Sequence, residues 1–161
     1  WGFEVVLPKG FDYRLRDASF SEWAAHGVVR ADGGVFPREG NASLFYPAGA
    51  DGPIFLVTSN FDVIKRYNAS DAYALGVASL GDLLDGGSHI HAAWPVEDPL
   101  LALAQRIELQ RALTRLGYDV GDADGRIGSR TRDAIRTFQE RAGMRPDGYP
   151  NQRVLEALRD R

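Results

Sequence analysis

The chain contains no cysteine in its 161 residues. A disulfide framework is therefore excluded, and thiol content gives no indication of the redox compartment. No stretch approaches the ~20 apolar residues that a membrane-spanning helix needs. The sequence opens with Trp1-Gly2-Phe3-Glu4, which is neither an initiator methionine nor the basic start of a secretion signal. We therefore expect a mature or truncated piece of a protein.

A large charge of one sign is also missing, because the formal net charge is only −3. This value argues against nucleic acid as the main partner. The charge is unevenly placed: residues 1–100 carry seven Lys/Arg against thirteen Asp/Glu, and residues 101–161 carry twelve Arg against nine Asp/Glu. A basic second part favours an anionic polymer as partner. For any single arginine, however, a solvated helix surface is the favoured explanation.

One short pattern occurs twice in the last third of the chain, an Asp-Gly pair followed by an amphipathic helix. The pairs are Asp124-Gly125 and Asp147-Gly148. Apolar residues at spacings of three and four share one helical face: Ala134, Ile135 and Phe138 after the first pair, Val154, Leu155 and Leu158 after the second, and Leu109, Leu113 and Leu116 on a preceding helix. The pattern predicts a three-helix bundle in which the two turns leave exposed polar backbone beside a groove.

These residues resemble the peptidoglycan-binding module found at the ends of many bacterial cell-wall enzymes. The matching positions run from Leu109-Gln110 through Leu116-Gly117-Tyr118 and Asp124-Gly125-Arg126 to Phe138-Gln139 and Asp147-Gly148. The resemblance implies that the partners are peptidoglycan glycan strands and stem peptides, which carry free carboxylates. It also suggests the substrate-binding residues of this module, namely Tyr118, Asp124, Arg126 and Arg132.

A second informative block, residues 55–84, precedes the module. Phe55–Val57 predicts a buried strand, and Asn60 is placed to cap a short helix that carries Phe61 and Ile64. Ser70 is placed to cap the next helix, on which four larger residues recur at helical spacing: Tyr73, Val77, Leu80 and Leu84. The corner between the two helices, residues 67–70, can project side chains into a cleft.

This block resembles the C-terminal part of the catalytic domain of lytic murein transglycosylases of the membrane-bound B type. The agreement includes Asn60-Phe61, Ile64, Arg66-Tyr67-Asn68, Ser70, Tyr73-Ala74, Val77 and Trp94-Pro95. Such enzymes cleave the β-1,4 bond between N-acetylmuramic acid and N-acetylglucosamine without water and leave a 1,6-anhydromuramoyl end. The resemblance implies one glutamate that acts first as acid and then as base, no cofactor, and a location in the periplasm or bacterial cell envelope.

The glutamates of this chain do not match that catalytic residue. They lie in strand-like, turn-rich, linker or bundle segments rather than in the apolar, helix-packed surroundings that raise a carboxyl pKa for general-acid work: Glu4, Glu22, Glu39, Glu97, Glu108, Glu140 and Glu156. We therefore expect that the chain begins inside the catalytic domain, after the catalytic glutamate. On this interpretation the chain is inactive alone.

One wall of the sugar cleft is what such a chain retains. The resemblance implies Tyr67, Asn68 and Tyr73 as substrate-binding residues, because phenol rings stack on sugar faces and an amide can hold an acetamido group. From the residues alone, Tyr73 as a core residue and Asn68 as a helix terminator remain open alternatives.

The remaining segments predict a small mixed region and a connector. Phe3–Leu7 predicts a strand, Phe20–His26 a short helix with Trp23, and the stretches before and after residues 48–53 a hairpin. Residues 86–99 combine glycines and prolines without periodicity, which is typical of a flexible connector, and Trp94 is expected to hold it against a domain. The predicted fold class is α+β, with residues 1–85 from the catalytic domain, 86–102 as linker and 103–161 as the peptidoglycan-binding bundle.

Other chemistries fit poorly. His89 and His91 alternate in the predicted linker without a suitable carboxylate partner, so we predict no metal site. The stretch from Asp119 to Gly125 fails the calcium-loop register because Gly121 and Ala123 stand where ligands are needed. No glycine-rich phosphate loop or nucleophile elbow occurs. The alternative to an enzyme fragment is a self-sufficient, non-catalytic cell-wall-binding protein, and in either case we expect a monomer.

Overall fold

The computed structural model describes residues 1–87 and 89–161; Ser88, in the predicted connector, lies outside the described residues. Over these residues the chain forms five strands and six helices, which confirms the predicted α+β class. They divide into two compact units: Trp1–Pro47 with Gly52–Trp94, and Ala48–Asp51 with Pro95–Arg161. None of the helices in the described part of the chain combines the length and the apolarity of a membrane span.

An antiparallel sheet forms the base of the first unit. Its strands are β1 (Gly2–Val6), β2 (Asp17–Ser19), β3 (Val29–Arg30), β4 (Asn41–Phe45) and β5 (Phe55–Val57), in the spatial order β2-β4-β5-β1-β3. Leu44 pairs with Leu56 between β4 and β5, and both side chains are buried. The predicted hairpin and the predicted buried strand are therefore confirmed.

The short helix α1 (Phe20–Ala25) begins with a capping box. The Ser19 hydroxyl accepts from the Glu22 backbone N–H, and the Glu22 carboxylate accepts from the Ser19 backbone N–H. Such reciprocal bonds satisfy two N–H groups that a helix start otherwise leaves without partners. Trp23 is fully buried, and its indole N–H donates to the Ala42 carbonyl oxygen at 3.0 Å. The prediction of a short helix carrying Trp23 is confirmed.

Two helices follow the sheet, α2 (Ser59–Tyr67) and α3 (Asp71–Leu84). Ser70 caps α3, since its hydroxyl accepts from the Tyr73 N–H, as expected. The prediction that Asn60 caps α2 is wrong. The cap residue is Thr58, because the Phe61 N–H bonds the Thr58 carbonyl at 2.9 Å and the first turn begins there.

The buried face of α3 also differs from the one that the larger side chains predict. Ala74, Leu75 and Ala78 are buried and pack with Phe55 and Phe61. The predicted stripe lies on the exposed side instead: Tyr73, Val77, Leu80 and Leu84. Small alanine side chains bring the α3 backbone close to the aromatic rings beneath it, so close packing favours the small face over the large one. The unit therefore keeps an exposed apolar helix face.

The second unit is a three-helix bundle, formed by α4 (Leu103–Arg115), α5 (Ser129–Arg141) and α6 (Gln152–Arg159). Its core contains the apolar positions that the helical spacing predicts: Leu109, Leu113, Ala134, Ile135, Phe138, Val154, Leu155 and Leu158. Leu116 is the exception. It is exposed because it follows the last helical residue of α4, where the backbone turns away from the stripe.

Two buried glutamines hold the Asp-Gly turns of this bundle. Gln110 on α4 accepts from the Gly125 N–H at 2.7 Å, and Gln139 on α5 accepts from the Gly148 N–H at 2.8 Å. The Gln110 amide also donates to the carbonyl oxygens of Asp122 and Arg126, at 3.2 and 3.1 Å. Buried amides carry a large desolvation cost unless they are hydrogen-bonded, so each glutamine and its turn stabilise each other.

We expect Gln110→Leu to lower the free energy of unfolding by about 1–3 kcal/mol, because it leaves the Gly125 N–H buried without an acceptor. Urea denaturation followed by circular dichroism measures the change. Gln152→Leu, at the partly exposed start of α6, is the matched control and should shift unfolding by less than about 0.5 kcal/mol. Equal effects of the two substitutions would contradict the anchoring role of Gln110.

Candidate functional site

The first Asp-Gly turn presents an exposed carboxylate and guanidinium. Asp124 Oδ1 accepts from the Arg126 backbone N–H at 2.8 Å, which holds the carboxylate in place. The same backbone bond holds the pKa of Asp124 below its ordinary value of 3.8, with smaller contributions from Gln110 and the Arg126 charge. The Arg126 side chain is almost fully exposed and lies 3.9 Å from the other carboxylate oxygen. This turn offers an ionised acceptor and a mobile cation to an incoming ligand.

The second turn differs from the expected exposed one. Asp147 is only 8% exposed. Its Oδ1 accepts from the Gln139 amide and from the Tyr149 N–H, both at 2.8 Å. Its Oδ2 accepts from the Ala50 N–H, also at 2.8 Å. The prediction that both turns leave exposed polar backbone is therefore wrong for this one, because the unit fills it with its own residues 48–51.

The other two predicted residues of the module lie in separate surroundings. Arg141 lies over the Tyr118 ring at 5.3 Å and donates to its hydroxyl oxygen at 3.2 Å. Tyr118 is partly buried and packs against the core of the bundle, so only part of its ring is accessible. Arg132 is partly buried, and its carbonyl oxygen lies within 2.9 Å of where a side chain at Gly148 would begin. Arg132 thus belongs to the surroundings of the second turn.

The corner between α2 and α3 brings the three predicted cleft residues together. The rings of Tyr67 and Tyr73 stack with centroids 6.2 Å apart, and they are 85% and 39% exposed. Asn68 ends α2, its Oδ1 accepts from the Ser70 N–H, and the residue is exposed. Lys65 and Asp71 close the corner with an ion pair at 2.7 Å. Tyr73 is not a core residue, whereas the alternative that Asn68 terminates a helix holds in the structure.

Glu4 fixes part of the segment that the sequence predicts to be a flexible connector. Its carboxylate accepts from the backbone N–H groups of His91 and Ala92, each at 2.7 Å, and lies 3.2 Å from His91 Nδ1. Ile90 packs against the apolar core of the same unit. Trp94, expected to attach the connector, is largely exposed. These bonds from the His91 and Ala92 N–H groups to the Glu4 carboxylate form the Glu4 clamp. The clamp, rather than the Trp94 indole, attaches the connector.

A cavity of about 720 Å³ lies beside this clamp in the first unit, with a mixed lining that includes Trp1, Phe3, Arg30, Asp82, His89 and His91. The Trp1 indole donates to Asp82 at 2.6 Å, and the Arg30 guanidinium lies 4.4 Å from the Phe3 ring centre. Its size suits a small ligand. The cavity does not include the corner of Tyr67, Asn68 and Tyr73.

The glutamates that have a shifted pKa are shifted away from what a general acid needs. Hydrogen bonds to Ser19 lower the pKa of Glu22, and the hydrogen bond to Arg159 lowers the pKa of Glu108. General-acid work needs the opposite shift. Glu4 is engaged by the clamp, and the others are exposed: Glu39, Glu97, Glu140 and Glu156. Within residues 1–87 and 89–161, no three acidic or histidine side chains converge as a metal-binding group.

The two glutamines anchor the turns, a role that the sequence predictions do not include. Each directly follows a buried apolar residue, in the pairs Leu109-Gln110 and Phe138-Gln139, and they precede their turn glycines by 15 and 9 residues. The available signal was a glutamine within an apolar helix stripe, which occurs ahead of each Asp-Gly pair. The roles of Glu4 and of residues 48–51 had no such signal, because both depend on contacts far apart in the chain.

Two protein-family models match the chain. Residues 1–82 match the family described as "Transglycosylase SLT domain", and residues 103–158 match the "Putative peptidoglycan binding domain". A search of the curated proteins finds no significant match.

Among solved structures, the chain is similar to SltB3 from Pseudomonas aeruginosa. The complex with NAG-anhNAM-pentapeptide shares 49% identity over 99% of this chain, with a TM-score of 0.89. The complex with NAG-NAM-pentapeptide shares 48% identity over 98% of this chain, with the same TM-score. The chain spans 44% of the length of these structures.

We expect Glu4→Gln to speed hydrogen exchange at the His91 and Ala92 amides, because a neutral amide offers one acceptor where the carboxylate offers two. Exchange measured by NMR at those two N–H groups is the readout. Glu39→Gln, an exposed glutamate of the same unit, is the control. Unchanged protection in the Glu4 variant would show that other contacts hold the segment.

Carbon-detected NMR titration should place the Asp124 carboxyl pKa below 3.8, because the Arg126 backbone N–H stabilises the ionised form. Arg126→Ala keeps that N–H and should preserve most of the lowering. Arg126→Pro removes the N–H and should raise the pKa of Asp124 toward its ordinary value. A full loss of the lowering in the alanine variant would assign it to the guanidinium charge instead.

Proposed function

Because the chain belongs to the SLT transglycosylase family and carries a peptidoglycan-binding domain, we propose that it binds peptidoglycan as part of a lytic transglycosylase. The reaction proposed for the complete enzyme is cleavage of the β-1,4 bond between N-acetylmuramic acid and N-acetylglucosamine, with a 1,6-anhydro end as product. The partners are glycan strands and stem peptides, and the location is the periplasm or cell envelope. The observation that carries the proposal is the folded bundle with its anchored, exposed first turn.

The bundle supplies the binding part of this function. Asp124 provides an ionised acceptor, Arg126 a mobile cation, and Tyr118 with Arg141 a flat polar surface. Each contact is exposed and weak by itself. A polymer with many repeated ligand groups compensates for weak single contacts, since neighbouring sites raise the effective concentration. Arg132, beside the second turn, is proposed to contribute a further cation to binding.

The corner of the first unit supplies one wall of a sugar-binding cleft. The stacked phenols of Tyr67 and Tyr73 form an exposed aromatic surface suited to a sugar face. The NH2 of Asn68 is free to donate to the carbonyl of an acetamido group, because its oxygen already accepts from Ser70. The solved SltB3 complexes contain NAG-NAM or NAG-anhNAM units with a pentapeptide, which supports this class of ligand.

We propose that none of the glutamates of this chain performs the proton transfers. Their lowered pKa values, hydrogen-bond engagement or open exposure fit structural and surface roles. The chain alone therefore binds without cleaving. The exposed apolar face of α3 favours this interpretation over a self-sufficient binding protein, because a unit that works alone seldom leaves such a face uncovered.

We expect the purified chain to sediment with insoluble peptidoglycan sacculi and to release no anhydromuropeptides, measured by mass spectrometry of the soluble fraction. Arg126→Ala should weaken sedimentation by about two- to fivefold, the range for an exposed charge contact. Arg38→Ala, an exposed arginine of the first unit, is the control. Anhydro products would overturn the proposal for the glutamates, and absence of binding by the unsubstituted chain would overturn the function of the bundle.

A further inference from the structure

The two Asp-Gly turns of the bundle are built alike. In each, one carboxylate oxygen of the aspartate accepts from the N–H two residues later, and the glycine N–H donates to a buried glutamine. The four distances lie between 2.7 and 2.8 Å. The aspartate is thereby fixed through Oδ1, and Oδ2 is left for another donor. The group that donates to the aspartate Oδ2 in one turn therefore indicates which kind of group the other turn can bind.

In the second turn, that donor is a peptide group of the same unit. The Ala50 N–H donates to Asp147 Oδ2 at 2.8 Å, and Arg145 donates to the Ala50 carbonyl oxygen at 3.3 Å. Gly49 lies against the Tyr149 ring so closely that an added Cβ would come within 3.1 Å of it. The second turn therefore holds Ala50 through both its backbone N–H and its backbone C=O.

The side chain that follows Ala50, that of Asp51, is held by two ion pairs. The Asp51 carboxylate pairs with Arg145 at 2.6 Å and with Arg153 at 3.3 Å. Asp147, Arg145, Arg153 and Tyr149 thus select an amide N–H followed directly by a carboxylate. Two guanidinium groups on one carboxylate give this selection its specificity for an acidic residue.

The first turn offers matching groups without such a segment. Asp124 corresponds to Asp147, and Arg130 corresponds to Arg153, each arginine standing six positions after its aspartate. The Asp124 side chain is 47% exposed and that of Arg130 is 68% exposed. Arg130 is 3.8 Å from Asp119, an exposed pair that exchanges partners at little cost. Two of the contacting positions differ: Asp122 stands where the second turn has Arg145, and Arg126 stands where it has Tyr149.

We propose that the first turn, Asp124 with Arg130, is a binding site for a short acidic peptide that presents an amide N–H followed by a carboxylate. Asp124 Oδ2 accepts the peptide N–H, and Arg130 pairs with the carboxylate. This inference deepens the proposed function, on which it rests, because it assigns recognition of stem-peptide carboxylates to one turn. Asp122 keeps the affinity low, since it repels the ligand carboxylate where the second turn attracts it.

The test is an NMR titration of the full chain with acetyl-Ala-Gly-Ala-Asp-amide, the sequence of residues 48–51. We expect shifts centred on the amides of Gly125, Arg126 and Arg130. Arg130→Ala should weaken binding by about two- to fivefold, and Asp122→Arg, which supplies the missing arginine, should tighten it by a similar factor. Arg161→Ala, at the exposed end of the chain, should leave the affinity unchanged. Both test positions are exposed, and the spectra report whether each variant is folded.

Each other outcome overturns the proposal. Shifts at the second turn alone would mean that the peptide only displaces residues 48–51, and unchanged affinity in Arg130→Ala or in Asp122→Arg would remove the assigned roles. Sacculus sedimentation, measured in parallel, separates this failure from that of the proposed function. If the peptide does not bind while the chain still sediments with sacculi, the proposed peptide site is wrong and the proposed function stands. If neither the peptide nor the sacculi bind, both proposals are wrong.

Discussion

The hydrogen bond from a turn glycine to a buried glutamine is the interaction on which the peptidoglycan-binding bundle depends. A glutamine inside an apolar core is costly unless its oxygen and its NH2 are both engaged. Gln110 meets this requirement by accepting from Gly125 and donating to the carbonyls on either side of it. These bonds fix the position of the turn against α4. The exposed Asp124 and Arg126 are thereby presented from a rigid base.

The same hydrogen bond from a turn glycine to a glutamine occurs in both turns, but the two turns differ in what contacts the aspartate. Gln139 positions the second turn as Gln110 positions the first, but Asp147 is buried and its free oxygen is taken by Ala50. One turn thus contributes to the stability of its unit, and the other remains open to solvent. Small bundles of this length bury a limited fraction of their surface, so filling one turn with an internal segment adds packing where a core alone supplies little.

In the first unit, close packing of small residues decides which surface is available. Ala74 and Ala78 bring α3 against the aromatic core, which turns the larger side chains of the helix outward. Tyr67 and Tyr73 stack at an exposed corner rather than in the core. Glu4, on β1, engages two backbone N–H groups and so holds residues that composition alone predicts to be flexible.

The sequence by itself determined the α+β class, the bundle with its three apolar stripes, the hairpin, the Ser70 cap and the family. These features depend on local spacing, turn residues and motif order, which are legible along the chain. Tertiary structure alone decided the buried face of α3, the burial of Asp147 and the clamp formed by Glu4. Each of these joins residues far apart in the chain, as Ala50 and Asp147 show. Periodicity in the sequence predicts an amphipathic helix, but which face of the helix is buried depends on the shape of the surface that it packs against.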